Sequence, residues 1–218
     1  MLRITSISKR FTRRPVFENL SFTAGSGTLT LLAGPNGSGK STLLHIAAGI
    51  LHPDKGYVEC NARPGGIGYL GHDTLIYPQL TALENLAFWC SLHGGKASGK
   101  TLLDALDRTG LASRADDPAG SFSRGMAQRL SLARMLLLSP DLALLDEPLT
   151  GLDTASAKHV RAELLTLKQR GAAILWVTHD ITGDMAEADM ILTLKRDAAH
   201  TLHTRNEFSH ILQESAPC

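Results

Sequence analysis

One stretch constrains this chain more than any other: Gly34-Pro35-Asn36-Gly37-Ser38-Gly39-Lys40-Ser41-Thr42. It fits G-x-x-x-x-G-K-[ST], a loop that cradles phosphate. The flanks agree with that reading. Leu29–Ala33 is short and apolar, as a buried strand is. Residues 41–48 carry a helical pattern that stops near Gly49. Glycines let the backbone bend so that successive N–H groups point inward at phosphate oxygens. The helix start adds unpaired N–H groups and partial positive charge. Lys40 is then placed to reach the β- and γ-phosphates, and the Ser41 hydroxyl to hold Mg²⁺. The bland alternative is a glycine-rich turn that binds nothing.

A second signal argues against that alternative. In Asp141–Pro148, apolar residues 142–145 read as a buried strand, and the carboxylates Asp146 and Glu147 stand at its end. Asp146 would support Mg²⁺, directly or through water. Glu147 is placed to take a proton from attacking water. Leu149–Asp153 reads as a turn that brings Asp153 near the same strand end. Residues 172–178 form another buried strand, ending in His179, where ligands bind in open α/β sheets. Taken alone, His179 is equally a loop histidine without a role.

Between these motifs the chain alternates strands and helices. Residues 2–7 and 16–23 read as antiparallel strands leading into the phosphate loop, with Phe11 between them. On the residues alone, a core phenylalanine is the better reading of Phe11 than an aromatic stacked on a base. A short strand follows at 56–59, and another at 66–72 ends at His72. Thr81-Ala82-Leu83-Glu84 is a capping box opening a helix whose stripe is Leu83, Leu86, Ala87 and Cys90. Gly94–Gly99 is a loop, and a further helix runs to Thr109. Ser123 caps a helix expected to run to Pro140, and a helix start of this kind beside Gly125 is a ready anion site, though an ordinary cap reads the same way. A helix at 154–170, a strand at 190–194 and a terminal helix complete the chain.

Composition narrows the rest. A chain of 218 residues with 43% hydrophobic and 20% charged residues is ordinary for a globular domain. The net charge of +1 gives no electrostatic reason to bind nucleic acid. Three dispersed cysteines (Cys60, Cys90, Cys218) fit no metal ribbon and suit a reducing compartment. Met1–Thr5 lacks a signal peptide's apolar core, and no apolar run is long enough to span a bilayer. Work at a membrane therefore calls for a separate membrane partner.

These pieces in this order resemble the nucleotide-binding subunits of ABC transporters over nearly the whole chain. The resemblance matches Phe11 to the base-stacking aromatic, residues 34–42 to Walker A and residues 142–147 to Walker B with its catalytic glutamate. It matches Ser123-Arg124-Gly125 to the signature motif, Leu152-Asp153 to the D-loop and His179 to the switch histidine. It implies a P-loop NTPase (RecA-like) α/β core with an antiparallel β subdomain, about 1–80 and 139–218. An inserted helical subdomain, about 81–138, carries the signature. Two departures stand out. The signature keeps its serine and glycine but has Phe122, Arg124 and Met126 around them. His72 occupies the position of a glutamine that contacts the metal site and senses the membrane subunit, and imidazole replaces one amide contact but not both.

The local wording Tyr69-Leu70-Gly71-His72, Leu80–Leu86 and Ser123–Leu130 is similar to the haem-exporter ATPases of cytochrome c maturation. The resemblance implies ATP and Mg²⁺, with a homodimer (or a pair with a second cassette) closing around two ATP. It also implies integral membrane subunits as partners and a peripheral position on the cytoplasmic face of the inner membrane. Rival readings are an exporter ATPase for another cargo and a soluble ATPase of the same superfamily. The second usually carries coiled-coil or zinc inserts, or two cassettes in one chain, and none is seen here.

Overall fold

Two sheets and a helical layer share the chain. The computed structural model describes residues 1–12, 14–195 and 200–214, the side chains of 213 and 214 excepted, so Cys218 lies outside the described residues. The larger sheet has six strands: β3 (Leu29–Ala33), β5 (Ile67–Leu70), β6 (Leu142–Asp146), β7 (Ala173–Val177), β8 (Met190–Thr193) and β9 (Thr201–Thr204). Their spatial order is β5-β6-β7-β3-β8-β9, parallel except for β9. The smaller sheet is antiparallel, with β1 (Leu2–Phe11) between β2 (Arg14–Ala24) and β4 (Lys55–Cys60).

The parallel strands are apolar throughout because both faces are covered. Alternate residues sort cleanly. Leu32, Leu144, Leu175 and Val177 face a core completed by α1 (Lys40–Ala47) and the antiparallel sheet. Leu31, Leu145, Ile174 and Trp176 face the other side, against α4 (Arg124–Leu137) and α5 (Thr154–Gln169). A third apolar cluster joins α2 (Ala82–Leu92), α3 (Gly99–Asp107) and α4. These three helices lie in sequence between β5 and β6.

Several expectations change in detail. β1 and β2 extend further than the alternation suggested, and Phe11 belongs to β1, paired with Arg14. Phe11 is 49% exposed, so it is not a core residue. α4 stops at Leu137, short of Pro140. β9 was not anticipated, because Thr-Leu-His-Thr has no apolar run and is held by pairing with β8. The capping box at Thr81 forms as read: Thr81 Oγ1 accepts from Glu84 N at 3.1 Å, and Glu84 Oε2 accepts from Thr81 N at 2.8 Å.

Candidate functional site

Strand register brings the signals to one edge. Leu32 and Asp146 both pair with Val177, in three parallel strands. The segments leaving β3, β6 and β7 therefore emerge together: residues 34–42, 147–153 and 178–180. They emerge at the carboxyl ends of the strands, where open α/β sheets bind ligands.

The phosphate loop is shaped by backbone that only glycine holds at ease. Gly34 has φ +142°, and a Cβ there would stand 2.3 Å from the Leu194 carbonyl oxygen. Gly39 has φ +97°, and a Cβ there would stand 2.4 Å from Val16 Cγ1. Gly39 immediately precedes α1, so the loop feeds the helix start directly. Pro35, Asn36 and Gly37 are exposed at its rim, and Ser38 is buried with its Oγ unpartnered. Lys40 is 7% exposed and donates to the Gly34 and Pro35 carbonyls at 2.8 and 3.1 Å. An ammonium has three donors, so one direction remains for an anion lying in the loop. Burial pushes Lys40 below the ordinary lysine value, while the Glu147 and Asp146 carboxylates pull it back up. Those two carboxylates are thus within electrostatic reach of the loop.

Asp146 ends β6 and is 7% exposed. Glu147 follows with φ +53°, which is strained for a residue with a side chain. Its backbone N–H donates to the Val177 carbonyl at 3.1 Å. Glu147 Oε1 accepts from His179 Nε2 at 2.5 Å, and Oε2 accepts from Thr150 Oγ1 at 3.1 Å. A carboxylate offers about four lone-pair sites, so both bonds leave room for water. His179 is half-exposed and Glu147 less so. Thr150 was not singled out by sequence, since a threonine in a turn carries no distinctive signal.

The donor set fits a magnesium ion held with a nucleotide. No group of three His, Cys, Asp or Glu side chains suited to a metal exists among the described residues. Mg²⁺ in phosphate sites needs few protein ligands, because phosphates and waters supply the others. The exposed Ser41 hydroxyl at the helix start and the buried Asp146 carboxylate meet that need.

Asp153, Ser123, Gly125, His72 and Phe11 make no side-chain hydrogen bond to Lys40, Asp146, Glu147 or His179 among the described residues. Asp153 caps α5, accepting from Ser156 N and Oγ at 2.8 and 2.9 Å, which holds its carboxyl below the usual range. Ser123 caps α4, with its Oγ accepting from Met126 N at 3.3 Å. A Cβ on Gly125 would stand 2.9 Å from the Gly151 carbonyl oxygen, so the start of α4 packs on the turn after β6. His72 lies exposed beyond β5, and Thr42 is half-buried in α1. The exposed Phe11 ring has Lys9 Nζ 5.7 Å from its centroid.

The family model described as "ABC transporter" matches residues 17–150. The chain is similar to the cytochrome c biogenesis ATP-binding export protein CcmA of Pseudomonas savastanoi, 35% identical over 187 residues, which cover 82% of this chain and 87% of that one. It is also similar to the protein of that name from Paramagnetospirillum magneticum, 40% identical over 177 residues, covering 76% and 82%. A solved dimeric bacterial ABC transporter cassette superposes with a TM-score of 0.86 at 25% identity, covering 94% of this chain and 99% of that one.

Proposed function

The chain belongs to the ABC transporter family as an ATP-hydrolysing cassette, and from that premise we propose that it is the nucleotide-binding subunit of a haem-type exporter serving cytochrome c maturation. In this reading it dimerises around two ATP and drives a separate membrane subunit from the cytoplasmic face. No helix among the described residues is long and apolar enough to cross a membrane, which fits a peripheral role beside such a subunit. The relatives are named for cytochrome c biogenesis and ATP-binding export, which supports the maturation reading, and the solved dimeric cassette supports the pairing. Haem is then cargo for the membrane subunit, since no residue here reads as a haem ligand.

One observation carries the chemistry: Lys40, Asp146, Glu147 and His179 leave adjacent parallel strands at one edge. In the proposed mechanism, backbone N–H groups of residues 34–42 and the third donor of Lys40 grip the β- and γ-phosphates. Ser41 and Asp146, together with His72, would hold Mg²⁺, which would supply charge neutralisation of the phosphates. Glu147 accepts the proton of the attacking water through a free lone pair, and His179 fixes the orientation of that carboxylate. Phe11 stacks on the base. Ser123 and Gly125 belong to the other protomer's γ-phosphate, and Asp153 lies at the seam between protomers.

Glu147→Gln is the decisive variant. It keeps ATP binding, lowers phosphate release by about 10²–10⁴-fold and accumulates dimers on size exclusion with ATP. Near-normal turnover refutes the general-base role. The transport reading is tested by isolating the native membrane complex and measuring ATP hydrolysis as cargo is added. Stimulation by haem supports it, and stimulation only by an unrelated cargo sinks the haem assignment.

A further inference from the structure

Behind the reacting edge, a buried polar network grips the chain on both sides of His179. Thr178 is 5% exposed and Asp184 is 3% exposed. Thr178 Oγ1 donates to Asp184 Oδ2 at 2.5 Å and accepts from the Asp180 backbone N–H at 3.0 Å. One hydroxyl therefore holds both the residue before His179 and the residue after it. The other Asp184 oxygen, Oδ1, accepts from Arg161 Nη2 at 2.5 Å. Arg161 comes from α5, the helix that Asp153 caps. The turn is closed by Asp184 N to Asp180 O at 3.0 Å and by Gly183 N to Asp180 Oδ1 at 2.9 Å. A cavity of about 360 Å³ is lined by Arg161, Thr178 and Asp184 together with Glu147 and His179.

Holding a carboxylate there has a cost that needs a reason. A buried ion pair is weak ground for stability, and an apolar pair of the same shape often serves as well. The helix Asp184 ends, α6 (Ile181–Asp184), has four residues and cannot hold itself by helix formation. The ring of His179 is half-exposed and bonds Glu147. Its position is thus set from behind, by the backbone of Thr178 and Asp180. Catalytic side chains stay productive only where a supporting layer locks them.

We propose that Asp184 is a positioning residue: through Thr178 it fixes the backbone on either side of His179, so that Nε2 stays on Glu147 Oε1, and Arg161 anchors that setting to α5. This rests on the ATPase reading of Glu147 and His179. The hydroxyl of Thr178, not its volume, is the working part, because only a group that donates and accepts can join Asp184 to the Asp180 amide.

The test is steady-state phosphate release by the full chain at saturating Mg²⁺ and varied ATP. Thr178→Val preserves the shape and removes the hydroxyl. It lowers kcat about 10- to 100-fold, while KM stays within about threefold. Thr178→Ser, which keeps the hydroxyl, recovers most of that loss. Asp184→Asn, which keeps the volume but breaks the paired carboxylate, lowers kcat in the same direction. Circular dichroism melts accompany each variant; if Thr178→Val fails to fold, the comparison of Asp184→Asn with wild type reads the same kcat change. Unchanged kcat in a folded Thr178→Val or Asp184→Asn, a change in KM alone, or Thr178→Ser as poor as Thr178→Val overturns the proposal while the ATPase reading stands. A wild-type chain that binds ATP and releases no phosphate overturns that reading, and this one with it.

Discussion

At the carboxyl ends of β3, β6 and β7, Lys40 and Glu147 already have partners within the chain. Lys40 bonds two carbonyls of its own loop, and Glu147 is held by His179 and Thr150. The start of α4 is different. Ser123 uses its oxygen to cap Met126 N–H, and among the described residues its hydroxyl proton has no acceptor. Arg124 is exposed and has no ion pair among them, and Gly125 packs close to the Gly151 carbonyl. In the proposed function the first region is completed by nucleotide and Mg²⁺, whereas the second presents donors without an acceptor among the described residues. That asymmetry suits the proposed composite site, in which each copy would lend its α4 end to the other's phosphates.

The largest test of the contrast acts on the closed region. Lys40→Met keeps the apolar stem and removes the ammonium, and phosphate release falls by about 10³-fold. Because the loop's backbone donors remain, the fold and melting temperature change little. If turnover survives, the strand-end edge is not where phosphate is handled, and the comparison fails outright.

Next in size is a change at the open region. Gly125→Ala drives a methyl against the Gly151 carbonyl at 2.9 Å, so α4 and the turn after β6 must part. Turnover falls about tenfold and ATP-driven dimers weaken, while the isolated chain keeps its affinity for nucleotide. Equal losses of nucleotide affinity and turnover would mean that the α4 end serves its own chain's site, and the asymmetry would disappear.

The two regions also differ in how far sequence reveals them. Residues 34–42 and 146–147 are legible because their chemistry is local: glycines where φ is positive, a lysine opening a helix, carboxylates closing an apolar strand. The capping box at Thr81 is legible for the same reason. Asn85 is not. It sits among Leu83, Leu86 and Ala87, which suggested an apolar stripe, yet it is fully buried. Its amide reaches Tyr77, Leu80 and Thr81 carbonyls at 3.0, 3.3 and 2.9 Å, and its Oδ1 accepts from Tyr77 N at 2.8 Å. Thr81 is the helix's own cap, but Tyr77 and Leu80 lie in the loop before it, so no apolar periodicity points to a buried amide here. The pairing of β9 with β8 and the Arg161–Asp184–Thr178 network are likewise contacts between elements, which no pattern within one element announces.

A smaller effect separates stability from chemistry. Thr81→Ala removes the reciprocal cap on α2 and lowers the free energy of unfolding by about 1 kcal/mol, read by urea denaturation. Since Thr81 belongs to the helical layer, ATP affinity at the strand-end edge stays as it was. A matching loss of nucleotide affinity would show that the two regions are not energetically separate.

The smallest expected effect lies where the regions meet. Tyr69, on β5, shares a hydrogen bond with His45 on α1 at 2.9 Å, joining the strand before His72 to the helix after the phosphate loop. Burial raises the Tyr69 phenol from 10 to about 12, with the Asp146 and Asp73 carboxylates adding to the rise. The fold therefore favours the neutral phenol. The stability this contributes is fully present below pH 10 and is lost as pH climbs through 12, so nothing changes near neutrality. Absorbance at 295 nm, followed under conditions where circular dichroism reports the native fold, should show one of the three tyrosines ionising late. Asp146→Asn then lowers that late step only part of the way, because burial is the larger cause and Asp73 remains. If Asp146→Asn leaves the step where it was, the carboxylate at the end of β6 does not act on β5, and the strand-end edge is electrically isolated from the segment that leads to His72.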